Sequence, residues 1–423
     1  MKFILSVLSL VFLAYSAHAD FVVPSDRVQS GVVIRTQPTS QSAPRGILAP
    51  GQQLLFEGTV PRWNRVRLED GTFGYVSKSW TDVIASAAVG SYTLHAVDVG
   101  TGLAIIVEGP DFVAVYDGGS NDDLARGNEN RLLAYLRAAL PNLQTIDHLI
   151  LSHPHRDHVE LLPDIFDAYD VRNVWDSGRL HMICGYRAFL EKVSVEPGVV
   201  YHNALGNFGT HKATFPARRC YGQDWPAATI SIAEGARIGD AAIELGTSGR
   251  MKFLYADGAQ HSSPNENSLV VRLDLGGRRI LFMGDAEAGG RQPLSEPAAE
   301  SSIEGSLLAC CTDQLRSDVL IVGHHGSMTS SRTSFLNAVN ASAFVISSGP
   351  KRYGSVTLPD QIVIDELTSR GTVWRTDLND AACGAAAAKI GPDNDGKAGG
   401  CNNVRITIDS TGAIAGTYWT TAD

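Results

Sequence analysis

Six consecutive residues, His153-Pro154-His155-Arg156-Asp157-His158, carry three imidazoles and a carboxylate. In an extended turn residues i and i+2 point the same way, so His153 and His155 can grip one metal ion. Asp157 and His158 then face the space beside it. Such a set suits a borderline metal such as zinc, and two adjacent zinc ions can share a bridging hydroxide. With 12 histidines in 423 residues, this density is not scatter. A purely structural histidine cluster would need no acid at that spacing.

The apolar run Ile146 to Leu151 reads as a buried strand feeding the motif, and Leu161, Leu162, Ile165 and Phe166 share one face of a helix after it. Two later segments end in similar chemistry. Arg279-Ile280-Leu281-Phe282-Met283-Gly284-Asp285 closes a strand on an acid, which is costly to bury unless it is paired or metal-bound. Asp318-Val319-Leu320-Ile321-Val322-Gly323 is an apolar strand that delivers the pair His324-His325.

The six-residue motif resembles the HxHxDH signature of the metallo-β-lactamase superfamily. Within it, His95 to Gly102, Val115-Tyr116-Asp117-Gly118-Gly119 and Val322-Gly323-His324-His325-Gly326-Ser327, with Ser330 and Ser331, resemble the ComEC-type (competence protein) branch. The resemblance implies an α/β fold, an αββα sandwich with the metal site at one edge of the paired sheets. It implies two zinc ions, with manganese or iron left open, held by His153, His155, Asp157, His158, Asp285 and His324. Asp285 would bridge both ions, and Asp157 and His325 would take part in the chemistry, although His324 and His325 could exchange roles. Many relatives draw a third histidine from a turn where only His261 is available, so His261 is a candidate ligand or simply an exposed loop residue. Asp117 would orient a ligand histidine through its free ring nitrogen, or else cap a turn. Ser327 and Lys351 are expected at phosphate oxygens, with ordinary solvation as the alternative for the lysine. The chain departs from the pattern at Leu103, where an acid is usual, and at Val159-Glu160, where Gly-Gly is usual.

The rest of the chain bounds these expectations. It is longer than the roughly 250–300 residues at which single cores stop growing, so more than one domain is expected. Lys2, the apolar run Phe3 to Ala14 and Ala17-His18-Ala19 match a secretory signal over residues 1–19. No later stretch reaches the roughly 20 apolar residues of a membrane span, so a secreted or periplasmic protein without a span is expected. Acidic residues outnumber basic ones 45 to 35, for a formal charge of −10, which argues against broad nucleic-acid binding but permits a local basic rim. In an oxidising compartment the 6 cysteines favour disulfides, with Cys383 and Cys401 closing one loop and Cys184 and Cys220 bracing another. Asp393-Asn394-Asp395-Gly396 hints at calcium without a full EF-hand loop and reads as a plain turn.

Residues 26–84 show short strand candidates between Pro, Gly and Asp-Gly turns. Gly31 to Pro38, Leu48-Ala49-Pro50-Gly51, Trp63, Asp70-Gly71 and Gly74-Tyr75-Val76 resemble a bacterial SH3 domain, a small all-β barrel. Such modules commonly bind cell-wall peptide or another protein, and a spacer role is the alternative. A small-residue linker, 85–91, leads to the hydrolase domain, 92–420. Glu196 to Pro226 shows little periodicity and is the candidate substrate lid, with His202 and His211 read as solvated.

The expectation is a secreted, zinc-dependent phosphodiesterase of nuclease-like type. Two rivals stand beside it: a hydrolase of esters, lactones or β-lactams using the same metal pair, and a cell-envelope binding protein with a degenerate metal site.

Overall fold

The computed structural model describes residues 21–50, 52–68, 72–84, 91–122, 126–205, 209–349, 351–378 and 402–419. They fall in two compact units, Met1–Ala88 and Val89–Asp423. The expected signal, most of the linker, the Cys383 and Cys401 pair and the Asp393 turn lie outside the described residues.

The first unit is a single sheet. Its strands are β1 (Phe21–Pro24), β2 (Val32–Arg35), β3 (Pro44–Leu48), β4 (Leu54–Val60), β5 (Trp63–Arg67), β6 (Phe73–Ser77) and β7 (Thr81–Ile84), in the order β3-β2-β6-β5-β4-β1-β7. Alternation along the strands sends Val22, Val32, Ile34, Val66 and Val76 into one core. Strand β1 lies ahead of the boundary expected at 26 and pairs with both β4 and β7.

In the second unit β8 (Tyr92–Ala96), β9 (Ile105–Glu108) and β10 (Val113–Tyr116) form an antiparallel meander. Helix α1 (Arg131–Ala139) crosses to β11 (Thr145–Leu151), α2 (Arg156–Val159) leads to β12 (Asp170–Asp176), and α3 (Cys184–Val195) leads to β13 (Val200–Asn203), each strand parallel to the one before. Strands β14 (Thr210–Phe215), β15 (Arg218–Cys220), β16 (Gln223–Trp225) and β17 (Ala228–Ala233) follow as nested antiparallel ribbons.

The plan then repeats. Strands β18 (Ile243–Leu245), β19 (Gly249–Tyr255), β20 (Val270–Leu275) and β21 (Arg278–Phe282) form a second meander. Helix α4 (Ile303–Leu315) crosses to β22 (Val319–Ile321) and α5 (Thr333–Val339) to β23 (Ala343–Ile346). The ribbon β24 (Arg352–Tyr353) and β25 (Val356–Thr357) precedes α6 (Gln361–Arg370) and β26 (Thr372–Arg375). The last three strands of that sheet run parallel to β21. Strands β27 (Val404–Ile408) and β28 (Ile414–Tyr418) return to the first sheet beside β8.

Strands β10, β22 and β23 are buried on both faces, which is why they read as unbroken apolar runs. The inner faces of the two sheets meet through Tyr116 on Phe282, ring centroids 5.0 Å apart, and Trp175 on Phe253, 5.2 Å apart. Helices α1 and α3 cover one outer face with Leu132, Leu136, Phe189 and Leu190. On the other, α4, α5 and α6 contribute Leu307, Phe335, Leu336, Val363 and Leu367. The result is the expected αββα sandwich.

Two expectations are corrected. The helix after the motif is only one turn long. It gives way to a 3-10 helix, Leu162–Asp167, because Pro163 lacks an N–H and its ring crowds the preceding turn. The Glu196 to Pro226 segment is not an irregular lid but β13 to β16, and His211, Ala213 and Phe215 alternate inward along β14. Nor are its histidines solvated: His202 stacks on Trp175 at 3.8 Å, and His211 is buried. A Cys184–Cys220 disulfide ties the start of α3 to β15, and Cys310 is bonded to its neighbour Cys311.

Candidate metal centre

Strand β11 ends at the core of the sandwich edge and hands over directly to the motif. His153 Nε2 lies 3.0 Å from His155 Nδ1 and 3.6 Å from Asp285 Oδ2. On the other side His158 Nε2 is 3.2 Å from His325 Nε2 and 3.2 Å from Asp285 Oδ1. His325 Nε2 is 3.4 Å from the same Oδ1 and 3.8 Å from Asp157 Oδ2. Two groups result, His153 with His155 and Asp285, and Asp157 with His158 and His325, each with its ligand atoms within 4.8 Å of one another. The Asp285 carboxylate faces both.

The far ring nitrogens are tied back. His158 Nδ1 meets Asp117 Oδ2 at 2.8 Å, and Asp117 also accepts from the backbone and hydroxyl of Ser152 at 2.6 Å each. His325 Nδ1 donates to the Ser347 carbonyl at 2.9 Å, which fixes the tautomer and turns the Nε2 lone pair toward Asp285. Asp157 Oδ2 accepts from Asn121 Nδ2 at 2.7 Å and from the Tyr353 hydroxyl at 3.0 Å.

Electrostatics bind the cluster together. Burial alone would raise the Asp285 carboxyl, but the imidazoles of His158, His325, His324 and His153 hold it well below the usual range. Burial, reinforced by His158, pushes His153 well below the ordinary imidazole value, so its ring is a neutral donor. Asp285 Oδ1 is buried with no hydrogen-bond partner among the described residues, although two imidazole nitrogens crowd it. A buried acceptor facing converged nitrogen lone pairs is a site built for a cation, and the donor set of imidazole nitrogen and carboxylate oxygen fits a divalent metal.

Of the pair after β22, whose roles the sequence left exchangeable, His325 is the one grouped with Asp157 and His158. Both residues have left-handed backbone, φ 49° and 54°, and the turn drives His325 inward while His324 faces the rim. His325 therefore joins Asp157 and His158. His324 Nε2 stays 3.9 Å from Asp285 Oδ2, and its Nδ1 is held by Thr329 Oγ1 at 2.7 Å and Glu287 Oε1 at 3.0 Å. His261 is outside the cluster too. It pairs with Asp257 at 2.7 Å and lines a separate cavity. Asn265, also beside the site, approaches His324 Nε2 at 3.4 Å.

A model of the metallo-beta-lactamase superfamily matches residues 97–349. The chain belongs to the metallo-beta-lactamase superfamily. It is 34% identical to competence protein ComA of Neisseria gonorrhoeae over 131 residues, 31% of this chain and 17% of that one. It is 24% identical to recombination protein 2 of Haemophilus influenzae over 278 residues, 66% of this chain and 26% of that one. The chain thus spans only a minor part of the length of these curated relatives. Among solved structures, a metal-dependent hydrolase of the beta-lactamase superfamily is 11% identical, with 70% of this chain and 97% of that one covered and a TM-score of 0.34. A diiron beta-hydroxylase from Streptomyces venezuelae is 12% identical, covering 68% and 53%, with a TM-score of 0.35.

The chain carries the superfamily's metal-dependent hydrolase fold, which binds divalent metal ions. Over its His/Asp cluster opens a cavity of about 490 Å³. Ser327 and Lys351 line it, and so do Arg156, Arg291, His181 and Tyr353. Lys351 lies with its Nζ 5.0 Å from the Tyr353 ring. Asn121, Arg291 and His181 were not singled out in the sequence. Each lies in a loop without periodicity or motif, and only folding brings it to the site. The superfamily's usual Gly-Gly is replaced by Val159 and a buried Glu160, which Arg126 pairs at 2.7 Å.

Proposed function

We propose that this protein is a metal-dependent phosphodiesterase of the ComEC-type branch. The observation that carries the reading is Asp285 facing two ligand groups at the floor of a cavity walled by Arg156, Arg291 and Lys351. Arg291 is paired with Asp360 and Arg156 lies 3.6 Å from Glu160, while Lys351 has no carboxylate partner among the described residues; in a chain of net charge −10 this lysine over the metal cluster favours an anionic substrate over a neutral ester, lactone or β-lactam. The names of the two sequence relatives, a competence and a recombination protein, point the same way, toward nucleic acid.

His153, His155 and Asp285 would hold one ion and Asp157, His158 and His325 the other, and the donor types favour zinc. Bound there, the metal supplies Lewis-acid polarisation of a phosphoryl oxygen and lowers the pKa of water toward 7. The protein's own residues do the rest. Asn121 and Tyr353 hold the Asp157 carboxylate in place, Asp117 holds His158, and the Ser347 carbonyl holds His325. Lys351, Arg291 and the Ser327 hydroxyl bind and orient the non-bridging phosphate oxygens. His324, with Nδ1 occupied, offers Nε2 to the substrate.

The first unit is read as an SH3-like module that binds cell-wall peptide or a protein partner, and the whole as secreted or periplasmic; its set of short antiparallel strands supports the first reading. The function is tested by metal content of the purified protein, followed by bis-p-nitrophenyl phosphate, single-stranded DNA and nitrocefin, each with an Asp285→Ala control. Phosphodiester cleavage lost with Asp285 is expected. Cleavage of nitrocefin alone, or phosphodiesterase activity that survives the substitution, removes the reading.

A further inference from the structure

Beside the metal edge lies a second cavity, of about 590 Å³. It is not part of the reaction centre, but His181 lines both, and the His181 ring stands 5.3 Å from that of His155. Pro154, from the motif itself, forms its near wall. Arg179, Lys212, His181, His211 and His261 contribute to the lining, and none of the described lining residues is acidic. His261 is paired with Asp257, so the positive charge of this lining comes from Arg179 and Lys212.

The walls are preformed. Asn267 Nδ2 donates to the carbonyls of Asp257 at 2.8 Å and Ala259 at 2.9 Å, which staples the loop carrying His261. Arg179 donates through Nε to the same Ala259 carbonyl at 3.0 Å, and no partner for its terminal nitrogens is found among the described residues. A guanidinium fixed by one nitrogen with the other two unengaged presents the fork that phosphate oxygens fit. The volume lies within the about 300–1,000 Å³ of ordinary ligand pockets.

We propose that this cavity holds a second phosphate of the substrate, linked to the diester at the metal edge, with Arg179 and Lys212 as its principal contacts. The proposal deepens the phosphodiesterase reading and rests on it. It makes the preferred substrate one that carries a further phosphate beyond the scissile one, and it assigns to His181 the wall between the two positions.

A matched pair of chromogenic esters tests it: thymidine 5′-(p-nitrophenyl phosphate) with and without a 3′-phosphate, on the metal-loaded protein and on Arg179→Ala/Lys212→Ala. Both substituted side chains reach the surface, and neither belongs to the reaction centre. The second phosphate is expected to lower KM about tenfold or more in the unmodified protein with kcat little changed, and to give no advantage in the variant. Equal KM ratios in the two proteins overturn the proposal. Were neither ester cleaved, the phosphodiesterase reading would fall, and titration calorimetry with thymidine 3′,5′-bisphosphate would still decide this one. Weaker binding to the variant upholds the cavity as a phosphate site, and equal binding removes it.

Discussion

The two sheets furnish the metal edge in different ways. The first does it with one strand end: β11 runs into His153, His155, Asp157 and His158 within a single turn. The second uses two strands, β21 for Asp285 and β22 for His325, and both deliveries pass through left-handed backbone. Gly284 has φ 53°, and a Cβ there would come within 2.8 Å of the Ser152 Cβ. His324 and His325 adopt the same region without being glycine, at a cost of about 1–3 kcal/mol each. One half of the centre is thus set by local chain geometry, the other by packing against the first half.

The strongest way to break that comparison is at the residue the halves share. Asp285→Ala should lower phosphodiester turnover by about a thousandfold or more and reduce bound metal, both read on one preparation by kinetics and elemental analysis. A variant that kept both ions would show that the first half suffices alone.

The histidine pair sharpens the comparison next. His325→Ala should lose about one equivalent of metal, whereas His324→Ala should keep both and lose turnover by about tenfold to a hundredfold. The reverse pattern in metal content would restore His324 as the ligand. On the first half, Asp117→Asn keeps the shape but not the charge that holds His158 Nδ1. It should weaken metal affinity by about tenfold to a hundredfold, measured by competition with a chelator.

The smallest effect concerns pH. Each half anchors a loop with a buried carboxyl. Asp98 accepts from the Gly100 and Asn402 backbone, and burial raises it from 3.8 to about 6. Glu304 accepts from the Ser331 and Arg332 backbone, just past the histidine pair, and burial raises it from 4.5 to about 7. A raised carboxyl binds its proton more tightly folded than unfolded. Its stabilising effect is therefore complete below the unfolded value and is lost as pH rises through the folded one. Between pH 4.5 and 7 Glu304 should withdraw about 3 kcal/mol. Glu304→Gln should flatten that part of a Tm against pH profile, and an unchanged slope would place the loss elsewhere.

Much of the sandwich was legible because its signals are local. Parallel strands buried on both faces read as apolar runs, and three imidazoles and an acid in six residues declare a metal site wherever they fall. Two features were missed although their signals are local. Pro163 stopped the helix that the apolar face of Leu161, Leu162 and Ile165 suggested, and the alternation in β14 was obscured by polar residues that face outward.

The sequence by itself determined that His153, His155, Asp157 and His158 lie together, since a strand, a turn and a helix start allow them little else. Only the tertiary structure decided that His325 and not His324 turns inward, that His261 pairs with Asp257, and that Asn121 and Tyr353 reach Asp157. The physical reason is that covalent geometry fixes directions over a few residues. Over longer spans, the direction of a side chain depends on which surfaces exclude water against one another, and that is settled by the packed whole.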